Sequence, residues 1–288
     1  MTKVAIAGST GYLGKFLVQV FLQHKLEVIA LARNLDKLDK FNDEHLQKIQ
    51  VDFTNPQSMA GTLKEADYLI STVGITRQKD GLSYMDVDYQ ANSNLLAEAQ
   101  KAGVKKFIYV SVLNGTNLRN LKICEAKERF VDELKISGIN YTVIRPSGFF
   151  SDMTDILNMA QKGRVYLFGN GECKLNPIHG KDLANLCFET LHSNTPEIEV
   201  GGPEIFTQNE LATLAFKTWG RNTKISYLPN WLRKSIIGIS RTFFSSKTYG
   251  PVAFFLTAMA SDMIAPKYGK ERLEDFYSTI VSKKITMS

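Results

Sequence analysis

The sequence predicts an α/β fold, a doubly wound parallel sheet with a smaller, mostly helical C-terminal lobe. Three observations predict it. The chain opens with an apolar strand over residues 4–7, then Gly8, Gly11 and Gly14, then apolar residues at helical spacing over 12–22 (Leu13, Phe16, Leu17, Val20, Phe21). Strand and helix patterns then alternate through the first half without repeats, which implies parallel pairing through right-handed crossovers. After Pro146 that alternation breaks.

In chain order, further strands are expected at residues 27–32, 49–51, 68–73, 106–111 and 141–144, with the clearest helices at 87–102 and 124–137. Gly103 and Gly138 follow helical patterns, where C-terminal caps belong. Residues 147–164 read as an extended loop and a short helix. Residues 176–200 are expected to return to the main domain, ending in a strand at 198–200. A helix over 207–219, opened by a Thr207–Glu210 capping box, and a strand over 224–228 precede aromatic-rich helical segments. The expected division is a nucleotide-binding domain over 1–150, rejoined by 176–200, and a substrate lobe over 151–175 and 201–288.

Composition narrows the function classes. Hydrophobic content of 44% and charged content of 22% describe a soluble globular protein. The net charge of +6 comes from scattered Lys and Arg, which does not call for nucleic acid. Cys124, Cys173 and Cys187 are far apart, and His24, His45, His179 and His192 form no ligand cluster, so neither a disulfide framework nor a metal site is expected. A reducing, cytoplasmic setting is the expectation, with no signal peptide, and the apolar run over 251–260 is too short to span a bilayer.

The opening stretch carries the chemistry. A strand, a glycine turn and a helix form the phosphate-gripping corner of a Rossmann-type sheet. Gly8 lets the chain turn out of the strand, Gly11 lets the backbone approach a pyrophosphate, and Gly14 lets the helix lie close on the sheet. Ser9, Thr10, Tyr12 and Leu13 complete the turn, and the helix N-terminus offers N–H groups to an anion. After the second strand a NAD-binding chain places an acid to accept from the ribose hydroxyls. Here Arg33 stands there, with Lys37 one turn on, which favours NADP(H) over the alternative NAD(H). Asp52 and Phe53 follow the third strand, where Asp52 either meets the adenine or serves as a turn former. Thr72 and Gly74 end the fourth strand and are expected beneath the cofactor.

The spacing Gly8-x-x-Gly11-x-x-Gly14 resembles that of atypical and extended short-chain dehydrogenase/reductases, including the NmrA-like group. Ser111, at the end of strand five, resembles the family's catalytic serine. On the next helix the family's Tyr-x-x-x-Lys is met by Ile123-Cys-Glu-Ala-Lys127, so the lysine is kept and the tyrosine is replaced. Arg145-Pro146-Ser147 resembles the segment that meets the nicotinamide amide, and His179-Gly-Lys-Asp182 a structural pair that caps a helix. The resemblance covers residues 1 to about 215, and is nearest to the divinyl chlorophyllide 8-vinyl reductases, whose ending residues 268–276 also resemble. It implies Lys127 as a ribose-binding and catalytic residue, and hydride delivery to a conjugated double bond in a hydrophobic small molecule. Isoleucine cannot donate a proton. Either Lys127 has a pKa lowered by burial, or Tyr84, Tyr89 or Cys124 substitutes, or the chain binds the cofactor without turnover, as a redox sensor or assembly factor would.

In the second lobe, residues 231–244 are apolar with interspersed basic residues, and 251–264 are apolar again. A helical lid over the nicotinamide pocket is expected, with a membrane-facing helix or a large greasy-substrate pocket as the alternative.

Overall fold

The computed structural model describes residues 1–75, 81–243 and 246–286. The Phe244 end of the first apolar stretch lies outside them. The chain forms two compact units, one of Met1–Arg145 with Leu183–Ile198 and one of Pro146–Asp182 with the chain from Glu199 onward.

The first unit is built on β1 (Lys3–Ala7), α1 (Tyr12–Gln23), β2 (Glu27–Ala32), β3 (Leu46–Gln50), the short α2 (Pro56–Met59), β4 (Tyr68–Ser71), α3 (Ala91–Ala102), β5 (Lys106–Val110), α4 (Lys122–Ile136) and β6 (Tyr141–Pro146). The second runs through α5 (Thr154–Gln161), β7 (Val165–Phe168), β8 (Lys174–Leu175) and the start of α6 (Gly180–Glu189). It resumes within β9 (Glu197–Val200) and continues as β10 (Phe206–Thr207), α7 (Gln208–Thr218), β11 (Ile225–Leu228), α8 (Asn230–Phe243), α9 (Ser246–Ala258) and α10 (Leu273–Thr286).

Seven strands make one parallel sheet in the order β3-β2-β1-β4-β5-β6-β9. The order reverses at β1, so β2 and β4 flank it, and the crevice at that switch point opens at the carboxyl ends of the strands. Residues of β1, β2, β4 and β5 are buried on both faces because helices cover both, which explains their continuous apolar runs. Phe107 and Tyr109 of β5 pack with Phe130, Val131 and Leu134 of α4 and with Leu95, Leu96 and Ala99 of α3. Emptying one such aromatic position costs about 3–5 kcal/mol. Buried Lys106 ties the returning segment to β5, its ammonium donating to the carbonyls of Thr190 (2.6 Å) and Ser193 (2.5 Å).

Two expectations are corrected. The third strand is Leu46–Gln50, not 49–51; it is a half-exposed edge strand, so polar residues alternate through it and only its end looked apolar. The helix expected from residue 87 begins with a π-helical turn, Met85–Gln90, before α3. Strand β7, in a stretch to which the sequence pattern gives no element, pairs in parallel with β11 as a separate two-stranded sheet. Gly103 (φ +71°) caps α3 in the left-handed conformation, and Gly138 (φ +79°) follows α4 in the same way. The Thr207–Glu210 capping box is present.

In the second unit, Leu211, Ala215 and Phe216 of α7 are buried with Ile156 and Leu157 of α5 and with Leu273 and Tyr277 of α10. The Tyr277 hydroxyl donates to Met153 O at 2.8 Å. Buried Asn176 clamps two segments, its amide donating to Ala265 O (2.9 Å) and Gly202 O (3.2 Å) and its oxygen accepting from Ala265 N (3.0 Å).

Candidate functional site

The glycine turn is held by backbone. Gly8 N and Ser9 N both donate to Leu31 O at the end of β2, and the buried Ser9 hydroxyl donates to the same carbonyl at 3.0 Å. Gly8 has φ +82°, and a Cβ there would lie 2.6 Å from Thr72 Oγ1, whose hydroxyl donates to Ala7 O at 3.1 Å. A Cβ on Gly14 would lie 2.7 Å from Ser9 Cα. The close approach that Gly14 permits is therefore to the turn itself, before any contact with the sheet. Gly11 is the exposed N-cap of α1, no side chain caps that helix, and its first turn carries no acid. Thr10 and Tyr12 are half-buried and Leu13 is buried. A small, tight turn that ends in a helix N-terminus without a side-chain cap fits a diphosphate.

Beside the turn, the ends of β2 and β3 frame an open cleft of about 480 Å³ lined by Arg33, Gln50, Val51, Asp52 and Ser58. Gln50 Nε2 donates to Arg33 O at 3.1 Å. Lys37 is exposed on the short helical turn that follows. The Asp52 carboxylate accepts from Thr54 N (3.0 Å) and Thr54 Oγ1 (2.7 Å), so it forms a local turn while lining the cleft. Phe53 is buried in the core, and its carbonyl accepts from Asn94.

The loop after β4 meets the helices that carry charge. Gly74 is exposed, and a Cβ on it would lie 2.6 Å from Asp88 Oδ1 and 2.9 Å from Lys127 Nζ. Those two groups form an ion pair at 2.9 Å, with Asp88 fully buried and the Lys127 side chain 13% exposed. The second Asp88 oxygen accepts from Ile75 N at 3.2 Å. Asp88 reaches this position from the π-helical turn, a geometry that recurs at functional sites. The turn is anchored by buried Asn92, whose amide donates to the carbonyls of Val73, Val87 and Asp88 and whose oxygen accepts from Ser71 Oγ at 2.5 Å.

Burial works against the Lys127 ammonium, but Tyr109 and Asp88 outweigh it and hold its pKa above the ordinary lysine value. The Tyr109 ring lies 5.6 Å from the ammonium, and burial pushes its hydroxyl up to about 12. The expectation of a lysine with a lowered pKa is thus not met, because a buried counter-charge accompanies it. Tyr84 and Cys124 lie in the same charged neighbourhood. Burial raises both, Cys124 to about 12, and Cys124 is fully enclosed. Tyr89 is elsewhere, under the Arg129 guanidinium at 4.4 Å. Ile123 is buried.

Ser111 is committed to a network that the sequence did not reveal. Its hydroxyl donates to Glu128 Oε1 at 3.1 Å, and Glu128 is gripped in a fork by Arg145 at 2.6 and 3.0 Å. Arg145 also reaches Glu197 at 2.9 Å, tying β6 and α4 to the returning segment. Glu128 lies one position after Lys127 and reads as a solvated helix charge; only its contacts in three dimensions, with Arg145 and with the Thr116 hydroxyl that donates to it at 3.1 Å, expose it. Asp88 likewise reads as a surface acid; its one sequence signal is the Tyr84-x-x-x-Asp88-x-x-x-Asn92 spacing along one helix face.

Within the second unit, Pro146 ends β6, and Ser147 N donates to Val200 O at 2.9 Å while its hydroxyl donates to Asn176 O at 2.6 Å. His179 Nδ1 accepts from Lys181 N at 3.3 Å, a cap-like contact at the start of α6. Asp182 accepts from Lys270 N and Glu271 N and holds the segment before α10. Among the described residues, no group of His, Cys, Asp or Glu could hold a metal ion, and no helix is long and apolar enough to cross a membrane.

The chain is 26% identical to divinyl chlorophyllide a 8-vinyl-reductase of Arabidopsis thaliana, over 96% of this chain and 76% of that protein. It is also 26% identical to the photosystem II assembly factor Ycf39 of Guillardia theta, over 78% of this chain and 72% of that one. Among solved structures, the NADPH-dependent quinone oxidoreductase QOR2 of Escherichia coli, complexed with NADPH, superposes with a TM-score of 0.77 at 17% identity, covering 96% of this chain and 99% of that one. Residues 8–194 match the NAD(P)H-binding family, and with the glycine turn, the cleft and the strand order in place, the chain belongs to that family of Rossmann-type NAD(P)H-binding proteins.

Proposed function

We propose that this chain is an NADPH-dependent reductase of an unsaturated, hydrophobic small molecule, acting without the tyrosine of its short-chain dehydrogenase relatives. The observation that carries this reading is the Lys127–Asp88 ion pair, held at 2.9 Å directly under the exposed Gly74 backbone. A lysine kept charged at the carboxyl ends of the strands is suited to two tasks. It holds the nicotinamide ribose, and it stabilises negative charge that develops on an acceptor.

The remaining roles are those that the motif spacing and the family resemblance imply. Gly8, Ser9, Thr10, Gly11, Tyr12, Leu13 and Gly14 cradle the diphosphate; Arg33 and Lys37 take the 2′-phosphate that distinguishes NADP(H) from NAD(H); Asp52 and Phe53 border the adenine. Thr72 and Gly74 pass beneath the ribose, and Pro146 and Ser147 meet the nicotinamide amide. NADPH supplies a hydride when bound. Reduction of a conjugated double bond develops negative charge on its electron-withdrawing group, where a fixed ammonium is more useful than a proton donor, and the substrate carbon then takes its proton from water. This is why the replacement of tyrosine by Ile123 is compatible with turnover. Ser111, bound to Glu128, acts by holding the end of β5 and orienting the substrate.

The substrate class follows the likeness to the 8-vinyl-reductases, and the second unit, residues 151–175 and 201–288 in the main, would supply the substrate surface. The reading places the protein in the cytoplasm, within the NmrA-like group. A second reading is a non-catalytic NADP(H)-binding sensor or assembly factor. Ile123 favours it, as does the likeness to Ycf39. Titration with NADPH followed by its oxidation with a panel of conjugated enones and vinyl-bearing tetrapyrroles separates the two. Tight binding with no oxidation by any acceptor selects the second, and preference for NADH over NADPH removes the cofactor assignment.

A further inference from the structure

The α8–α9 region is unlike the rest of the chain in charge. Residues 230–260 contain Arg233, Lys234, Arg241 and Lys247 and no acidic residue. The two helices pack on each other, with Ala253 and Leu256 of α9 buried and Arg233 Nη1 donating to Leu256 O at 3.2 Å. Several of the exposed residues are large and apolar. Trp231 is 67% exposed and Ile239 57% exposed on α8, and Val252 and Phe255, three positions apart on α9, are exposed as well. Lys234 is exposed three positions after Trp231, and so on the same side of α8.

We propose that the α8–α9 surface docks on an anionic lipid surface, with α8 lying in the plane of the headgroups. Large exposed apolar side chains beside basic charge are the signature of an interfacial helix, and tryptophan is the side chain most suited to the boundary between headgroup and acyl chain. Its 14 residues give α8 a length of roughly 20 Å, short of a bilayer span, so contact is peripheral. Charge selects the occupant. A second copy of the chain meeting this patch by two-fold symmetry would set basic residues against the same basic residues, which opposes association. A negatively charged headgroup layer complements the surface and offers apolar depth to Trp231 and Ile239.

The test uses the full chain and needs no cofactor or turnover, so its outcome is independent of the reductase reading. The protein is sedimented with vesicles of phosphatidylcholine alone and of phosphatidylcholine mixed with phosphatidylserine. Binding is expected to the mixed vesicles, to weaken with salt, and to be nearly absent with the neutral ones. Trp219 and Trp231 are the only tryptophans, and Trp219 donates from its ring nitrogen to Leu157 O, which fixes it in the fold. Addition of mixed vesicles should therefore shift the fluorescence to the blue in the native chain and leave Trp231→Phe unchanged. Lys234→Glu, an exposed substitution that folding tolerates, should weaken binding by about tenfold. Protein that stays in the supernatant at low salt overturns the proposal. So does equal binding to neutral vesicles, or binding without a Trp231-dependent shift. A concentration-dependent dimer that Trp231→Ser abolishes would assign the surface to a second copy instead.

Discussion

The Asp88 carboxylate lies 2.9 Å from the Lys127 ammonium, one fully buried and the other nearly so, and together they set the protonation of the candidate site. Lys127 has its pKa raised in the fold, so its charge persists as pH rises past the ordinary lysine value of about 10.4. Asp88→Asn removes one of the two groups that offset burial, leaving Tyr109, and lowers that pKa. Native NADPH affinity should be flat through alkaline pH, while the Asp88→Asn variant loses affinity as pH rises. Removal of one buried partner also costs about 3–5 kcal/mol of stability. The double variant Asp88→Asn/Lys127→Met should recover much of that stability without recovering binding. Matching pH profiles of native protein and Asp88→Asn would falsify this role for the pair.

Gly14→Ala tests the close packing of α1 on its own turn. Alanine favours helix by about 1 kcal/mol, yet the added methyl meets the Ser9 backbone at 2.7 Å and must push α1 away from the turn. NADPH affinity should fall by at least about tenfold, equivalent to roughly 1.4 kcal/mol. Gly238→Ala, with open space around its Cβ position in α8, should leave affinity unchanged. Isothermal titration of both variants checks the contrast.

What could be read from the sequence follows from how local each signal is. The glycine turn, its strand and its helix lie within the first 23 residues, so spacing alone placed them. Arg33 was legible because a buried strand ends one residue before it. Asp88, Glu128 and Lys106 were not legible, because a charged residue on a helix or at the start of a strand reads as solvated until its partner arrives from elsewhere in the chain. The π-helical turn was hidden for a related reason. Met85–Gln90 keeps a helical apolar pattern, and the Asn92 amide that secures the turn takes one of its partners, Val73 O, from a different segment of the chain.

Arg33→Ala addresses cofactor choice. A charge-assisted contact to the 2′-phosphate contributes about 1.5–3 kcal/mol, so the variant should lose roughly 10- to 100-fold in affinity for NADPH. NADH affinity should stay within about twofold, since that ligand lacks the phosphate. Equal loss for both cofactors would move the Arg33 contact away from the 2′ position.

Ser111→Ala distinguishes a substrate contact from a structural one. Its hydroxyl already donates to Glu128, so loss of that bond costs about 1 kcal/mol in melting measurements. Glu128→Gln breaks the buried fork with Arg145 and should cost about 3–5 kcal/mol. If Ser111 also orients substrate, kcat of Ser111→Ala falls while NADPH affinity holds. An unchanged kcat leaves Ser111 purely in the Glu128–Arg145 network.

The acid limb of stability should be set by carboxylates that tie segments distant in the chain to one another. Burial raises the pKa of Glu197, but Lys135 and Arg145 outweigh it and hold the group below the ordinary glutamate range. Asp67 is depressed by its hydrogen bonds, first with Lys105 at 2.7 Å and then with Lys3 N at 2.9 Å. For a depressed carboxylate the stability contributed is fully present above the unfolded pKa, about 4, and is lost as pH falls through the lower folded value. The melting temperature should therefore change little from neutral pH down to about 4.5 on account of these groups, then fall steeply. Glu197→Gln should lower the neutral-pH melting temperature and flatten the acid limb, because the proton that the native carboxylate resists is no longer there to be taken up. A steep loss already between about pH 6.5 and 5.5, where histidine titrates, would assign the limb to other groups.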